Sequence, residues 1–278
     1  MPPKIAILIT TFLRDSLLYR TLQTIVDANT KDCIVLIADQ GYHADEKDIQ
    51  IDYYKSQLNL EYFQIPFDSG LSFARNFLVN RAKELNIPYV LMLADSIQFS
   101  DESIYDFTPI IAFLEEDPKR GLVGFELANS KCPWEYKFDV IIPDGIKFRY
   151  SDEIIKQNEL EFLKVDICRN IFLAKTPTLI DLWDNEMKLG EHELAFVEYK
   201  RRGFEVYWTS AFIFKKNNSN GSEEYKEYRK RFQDYVKILK TKLNITGWVI
   251  YPKNHANRCP FISQARRKSS RRYSSKVI

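Results

Sequence analysis

Roughly the first 95 residues repeat one pattern: a short apolar run, a polar break, then an amphipathic stretch. Residues 5–9 are apolar throughout and end at Thr10-Thr11. Leu17, Leu18, Leu22, Ile25 and Val26 follow at helical spacing. Residues 33–38 form a second apolar run, closed by Asp39-Gln40-Gly41. A charged stretch with Ile49 and Tyr53 reads as a second helix, and residues 60–65 as a third strand. Leu71, Ala74, Leu78, Ala82 and Leu85 mark a third helix that Pro88 stops, and residues 89–93 form a fourth strand. Unbroken apolar runs suit strands buried on both faces. Their alternation with helices predicts an α/β fold with a mostly parallel central sheet flanked by helices.

Ligands of such sheets sit beyond the C-terminal strand ends. Polar residues gather there: Thr10, Thr11 and Arg14 after the first strand, Asp39 after the second, Asp68 after the third and Asp95 after the fourth. Any one of them also serves as a cap or turn residue; four breaks on one rim point to a site. The first break reads TTFLRD, without glycine, so neither a dinucleotide fingerprint nor a P-loop is present. A nucleophile elbow is missing too.

Beyond residue 100 the pattern is less regular. We expect a helix ending near Asp117, a strand over residues 121–127 and hairpin pieces at 134–138 and 146–150. A strand over 166–174 leads to a helix start at Thr176-Pro177. A helix over 191–202 stops at Gly203, two strands follow at 204–208 and 211–214, and one long charged helix fills 223–242.

The 278 residues carry a net charge of only +2, so the body is close to neutral. The excess lies at the end, in Arg266, Arg267, Lys268, Arg271, Arg272 and Lys276, interleaved with serines. Such a segment reads as a flexible tail, or as a grip for an anionic surface or polymer. The four cysteines form no C-x-x-C pair and only three histidines accompany them, which argues against structural zinc and suits reduced thiols. The N-terminus has no secretory pattern and no run approaches the roughly 20 apolar residues of a membrane span. The expectation is a cytoplasmic protein.

Five segments, ITTFLRD, ADQG, DSGLSFARN, YVLMLADSIQF and GEHELAFVEYKRRGF, stand in this order between about residues 4 and 216. In sequence and order they resemble the family 2 glycosyltransferases of GT-A fold, nearest in flavour to the β-1,4-N-acetylgalactosaminyltransferase branch. The resemblance implies a single domain over residues 1–261, with a nucleotide-binding half (1–99), an acceptor and catalytic half (100–216) and a helical extension (217–261). The basic tail (262–278) follows. It implies inverting hexosyl transfer from a nucleotide-sugar, UDP by default, to a glycan or other hydroxyl acceptor. Thr10, Thr11, Arg14 and Asp39 would hold base and ribose. Asp68, Gly70, Leu71, Ser72, Arg75 and Asn76 would line the donor pocket, with the N–H groups of the helix start facing the diphosphate.

The family's acidic cluster is reduced here to Ala94-Asp95-Ser96, which leaves Asp95 as the one candidate ligand for a Mn or Mg ion. Where many relatives carry a metal-binding histidine, the chain has Lys215-Lys216, and either ammonium could offset leaving-group charge instead. By the resemblance, Glu191-His192-Glu193 opens a helix and would supply the general base, Glu191 and Glu193 ranking ahead of His192. Trp183 leads Trp134 and Trp208 as an acceptor platform. The competing readings are a degenerate homologue that binds nucleotide or glycan without turnover, a nucleotidyltransferase, for which the first loop lacks its Gly- and Lys-rich signature, and transfer to an anionic polymer gripped by the tail.

Overall fold

The computed structural model describes residues 4–28, 30, 32–100, 105–128, 135–217 and 221–247. Trp134, Cys132, Cys259 and the basic tail lie outside the described residues. The alternating first part folds as the periodicity predicts: β1 (Ile5–Thr11), α1 (Asp15–Asp27), β2 (Cys33–Asp39), α2 (Asp45–Lys55), β3 (Leu60–Gln64), α3 (Leu71–Glu84) and β4 (Tyr89–Ala94). Then come β5 (Ile97–Phe99), α4 (Thr108–Glu115), β6 (Arg120–Leu127) and the hairpin β7 (Lys137–Ile141) with β8 (Gly145–Arg149). The remainder is β9 (Ile154–Gln157), β10 (Leu160–Val165), β11 (Phe172–Lys175), α5 (His192–Arg201), β12 (Glu205–Lys216), α6 (Glu223–Lys230) and α7 (Phe232–Leu243).

One ten-stranded sheet runs in the order β3-β2-β1-β4-β11-β6-β12-β10-β9, with β5 paired to the far end of β12. The first four strands are parallel. β11 is antiparallel to both β4 and β6. Register sets Thr11 beside Asp39, Thr10 beside Ala94 and Asp39 beside Gln64, so the polar strand ends share one rim.

Alternation along the strands feeds two cores. Ala6 and Leu8 face α3, α5 and α7, while Ile5, Ile7 and Ile9 face α1, α2 and α4. Among the described residues no helix is long and apolar enough to cross a membrane.

Four elements depart from the sequence reading. The run 166–174 is no single strand: β10 ends at Val165, Ile167 makes one bridge to Tyr136, and β11 starts at Phe172. The chain must break there because β10 lies outside β12 whereas β11 inserts between β4 and β6. Thr176-Pro177 opens a single 3₁₀ turn over Thr176–Leu179 rather than an α-helix. The strands expected at 204–208 and 211–214 are one strand, β12, with a register shift between Thr209 and Ile213 against β6. The charged helix of 223–242 is two helices meeting at Arg231. α6 has no buried residue, while α7 buries Leu239 and Leu243, so the chain turns where a solvent-facing helix gives way to a core-packed one. The β9–β10 hairpin was not expected. Its turn residues Asn158 and Glu159 both have positive φ, the geometry of a tight primed turn, but no glycine announces it.

Phe113 of α4 locks this half of the sheet. It stacks on Phe162 at 3.7 Å, meets Tyr207 edge-on at 4.9 Å and carries the Arg120 guanidinium 4.1 Å above its ring. Truncation by Phe113→Ala is expected to cost about 3–5 kcal/mol, read as a lower denaturant midpoint at unchanged slope.

Candidate functional site

The rim of the parallel strands opens into a cleft of about 110 Å³. Of the residues expected to bind a donor, Thr10, Thr11, Arg14, Asp68, Gly70, Leu71, Arg75 and Ala94 line it. The site is thus built by three strand ends, the loop before α3 and the first turn of that helix.

Asp95 stands directly behind the cleft with no solvent exposure. Arg14 clamps both of its carboxylate oxygens, and the Thr11 hydroxyl donates to Oδ2 at 3.0 Å. Thr21 of α1 donates to its backbone carbonyl at 2.8 Å. Burial pushes the Asp95 carboxyl up to about 6, against the opposing pull of Arg14 and Thr11. Ser96 is buried beside it, and its carbonyl accepts from the Asn217 N–H at 2.9 Å.

Asp39 is equally enclosed. Its Oδ1 accepts from the Gly41 N–H at 2.7 Å, and its Oδ2 accepts from Lys47 and from Tyr62, each at 2.7 Å. It organises the turn after β2, and its neighbour Gln40 is the residue that reaches the cleft. The side-chain carbonyl of Gln40 accepts from the Gly70 N–H at 2.6 Å.

The entry to α3 is tightly drawn. Gly70 has φ +97°, and a Cβ there would sit 2.6 Å from Lys188 Cα. The Leu71 N–H donates to the Lys188 carbonyl at 3.1 Å, and Ser72 Oγ donates to the Met187 carbonyl at 2.7 Å. The Gly70 and Leu71 N–H groups expected to face a diphosphate are therefore spent on Gln40 and Lys188, and Ser72 ties α3 to the 187–188 loop rather than capping the helix. Asn76 points elsewhere: its amide donates to the Trp183 carbonyl at 2.6 Å and to Asn185 at 2.9 Å. It borders a larger groove of about 380 Å³ along α3, lined by Phe63, Phe73 and Phe77 among others. We place the candidate site in the smaller cleft, because the strand ends and their buried ions meet only there. Trp183 is 4% exposed, with its ring 5.7 Å below the Arg75 guanidinium, and so supports that arginine instead of offering an open face.

Arg75 joins the cleft to the start of α5. One of its amino groups is ion-paired with Glu191, which is 5% exposed. Burial drives Glu191 upward, but the Arg75 charge outweighs it and holds the carboxyl below its ordinary value. Burial pushes the neighbouring His192 down to about 4, and its Nδ1 lies 3.0 Å from Asn170 Oδ1. Glu193 differs from both: burial raises it to about 7, and it makes no ion pair among the described residues.

The cleft has a roof the sequence did not announce. Tyr225 of α6 stacks on the Arg14 guanidinium at 4.5 Å, and Tyr228 packs edge-on against Phe12 at 5.0 Å. Tyr42 donates to Glu224 at 2.8 Å. At the α6–α7 junction Arg231 grips Asp68 with two hydrogen bonds of 2.7 and 3.0 Å, and Lys188 adds a third at 3.1 Å. Burial raises Asp68, yet these donors prevail and its carboxyl lies below the usual range. Lys215 and Lys216, at the end of β12 opposite Gln98 and Ile97, are not among the lining residues; Lys188, Arg229 and Arg231 are. Among the described residues one group of ligand-type side chains lies within mutual metal-binding reach, the exposed His43, Asp45 and Asp48. It belongs to the start of α2 and does not line the cleft.

No known family model matches the chain, and no curated protein does. Solved structures do. TarS of S. aureus, residues 1–349, superposes with TM-score 0.55 at 14% identity over 87% of this chain and 69% of that one. The same TarS fragment in complex with UDP-GlcNAc gives 0.54 at 14% identity, over 87% and 70%. The mannosyltransferase PcManGT of Pyrobaculum calidifontis, in complex with GDP-Man and Mn2+, gives 0.56 at 12% identity, over 85% of this chain and 62% of that one. The chain therefore has the GT-A fold of these glycosyltransferases.

Gly70→Ala tests the build of the cleft. With positive φ and a backbone clash together, it is expected to destabilise by at least about 2 kcal/mol, measured by denaturant unfolding.

Proposed function

We propose that this chain is an inverting glycosyltransferase that moves a hexose from a nucleotide-sugar, a UDP-sugar in the first instance, to a hydroxyl of a glycan or similar acceptor. The observation that carries this reading is convergence. Thr10, Thr11, Arg14, Gln40, Asp68, Gly70 and Arg75, from separate strands and loops, line one cleft, and Arg75 links it to the acidic start of α5. The same fold in the TarS complex with UDP-GlcNAc supports it, as does the resemblance of the five segments to family 2 enzymes. Thr10, Thr11 and Gln40 present hydrogen-bonding edges for base and ribose, with Asp39 holding their loop in place. The cleft is smaller than the roughly 300–1,000 Å³ of ligand pockets, so a whole donor displaces the side chains of α6 that fill it.

In the proposed step the acceptor oxygen attacks the anomeric carbon from the face opposite the leaving group. The bond from that carbon to the phosphate oxygen breaks, and its electron pair stays with the nucleoside diphosphate. The acceptor proton passes to a carboxylate. Glu193 suits that role best: Glu191 is committed to Arg75, and burial leaves His192 a weak base, whereas Glu193 titrates near neutral pH.

The test measures nucleotide release and product formation over a panel of UDP- and GDP-sugars, with the product anomer read by NMR. Inversion is the expected outcome; a retained anomer sinks the mechanism. Glu193→Gln should lower turnover by about 10²–10⁴ while donor affinity holds. The kcat/KM profile should rise with pH and level off above about 7. The sign for stability is the reverse. A glutamate raised in the folded chain from 4.5 to about 7 contributes stability that is full below 4.5 and lost as pH climbs through 7, and Glu193→Gln should abolish that loss.

A binding-only protein is the second reading, favoured by the ion pairs that occupy Asp95 and Glu191. Nucleotide-sugar binding without release or transfer for any donor would establish it.

A further inference from the structure

GT-A enzymes commonly hold the donor diphosphate through a divalent cation, and PcManGT was solved with Mn2+. The donor set of this cleft does not fit such an ion. A hard cation takes about six oxygen ligands, carboxylates foremost. Both oxygens of Asp95 are taken by Arg14, with Thr11 on one of them, and the residue has no exposure. Both oxygens of Asp39 are taken by Gly41, Lys47 and Tyr62. Asp68, the one carboxylate among the described residues that line the cleft, is gripped on both oxygens by Arg231 and on one also by Lys188.

What the cleft offers is cations. Arg14, Arg75, Lys188, Arg229 and Arg231 line it, and their carboxylate partners are Asp95, Glu191 and Asp68. Among the described residues, five positive groups against three negative ones leave an excess of two, and a nucleotide-sugar diphosphate carries roughly one negative charge on each phosphate. Two donors await a partner. The side chain of Arg229 makes no hydrogen bond or ion pair among the described residues, and the Nε of the buried Arg75 has no acceptor. A buried guanidinium N–H without an acceptor is costly, and an entering anion relieves it.

We infer that the diphosphate of the donor is bound and neutralised without a divalent cation, by Arg229 and Arg231 at the α6–α7 junction together with Lys188 and Arg75. This rests on the nucleotide-sugar reading and names the groups that serve it. Arginine suits the task because its planar fork matches phosphate oxygens two at a time. Asp68 stores Arg231 and Lys188 in place until the phosphate arrives. The arrangement also explains the roof: α6, which buries nothing of its own, is held over the cleft by Tyr225 on Arg14 and by Arg231 on Asp68.

The experiment is calorimetric titration of the full chain with UDP, GDP, CDP, ADP and dTDP, each in EDTA and in MnCl2. The expected result is that at least one nucleotide binds with the same affinity in both buffers. Arg229→Ala should weaken that binding about tenfold in EDTA while leaving the thermal midpoint unchanged, because the Arg229 side chain has no partner to lose among the described residues. Arg231→Lys, which keeps a charge on Asp68, should weaken it as well. Binding that appears only with manganese, or that ignores Arg229→Ala, overturns the inference and leaves the nucleotide-sugar reading standing. Failure of every nucleotide in both buffers overturns both.

Discussion

A carboxylate with no access to water must find its counter-charge inside the protein, and in this fold Asp95 finds it in Arg14. That one ion pair joins the end of β4 to the loop after β1. Thr11 and Thr21 complete the shell, so the middle of α1 is drawn to the same point. Removing one partner would leave a buried charge alone, which is far more costly than losing a surface pair. This pair therefore ties the β1 and β4 ends of the cleft together.

The same logic repeats in three further ion pairs around the cleft. Asp39 with Lys47 is wholly enclosed and shapes the turn that presents Gln40. Glu191 with Arg75 bridges the cleft to α5, and the Arg75 charge holds Glu191 below its ordinary value while burial raises the neighbouring Glu193. Asp68 with Arg231 is the outermost and the most solvated, which makes it the pair that an incoming anion can rearrange at least cost. A buried floor and a more solvated roof suit the nucleotide-sugar site proposed above.

The parallel half of the sheet was legible because β1, β2 and β4 are apolar on both faces and α1 has a clear stripe; α2 reads as a helix from Ile49 and Tyr53, which the fold leaves exposed while it buries Ile51 and Tyr54 instead. Ile5, Ile7 and Ile9 and the alternate Ala6 and Leu8 have no other use than to feed two cores. The rim residues were legible for the same reason: a polar break after a buried strand can fall only at the sheet edge. The turn into α3 at Gly70 was legible as a glycine, although the consumption of its N–H by Gln40 was not. Nothing local predicted the β9–β10 hairpin, since Asn158 and Glu159 adopt positive φ without glycine, nor the splitting of the long charged helix at Arg231.

Local pattern alone settled the order of strands and helices through Ala94, the two-sided core and the edge on which a ligand would sit, because periodicity and polarity are properties of neighbouring residues. Tertiary structure alone decided which charges meet. Arg231 reaches Asp68 and Glu191 reaches Arg75 across more than a hundred positions of chain, and no window of sequence contains both partners. The identity of the cations in the cleft, at the α6–α7 junction and not at Lys215-Lys216, followed from where α7 found apolar surface for Leu239 and Leu243 and so carried its preceding arginines over the strand ends.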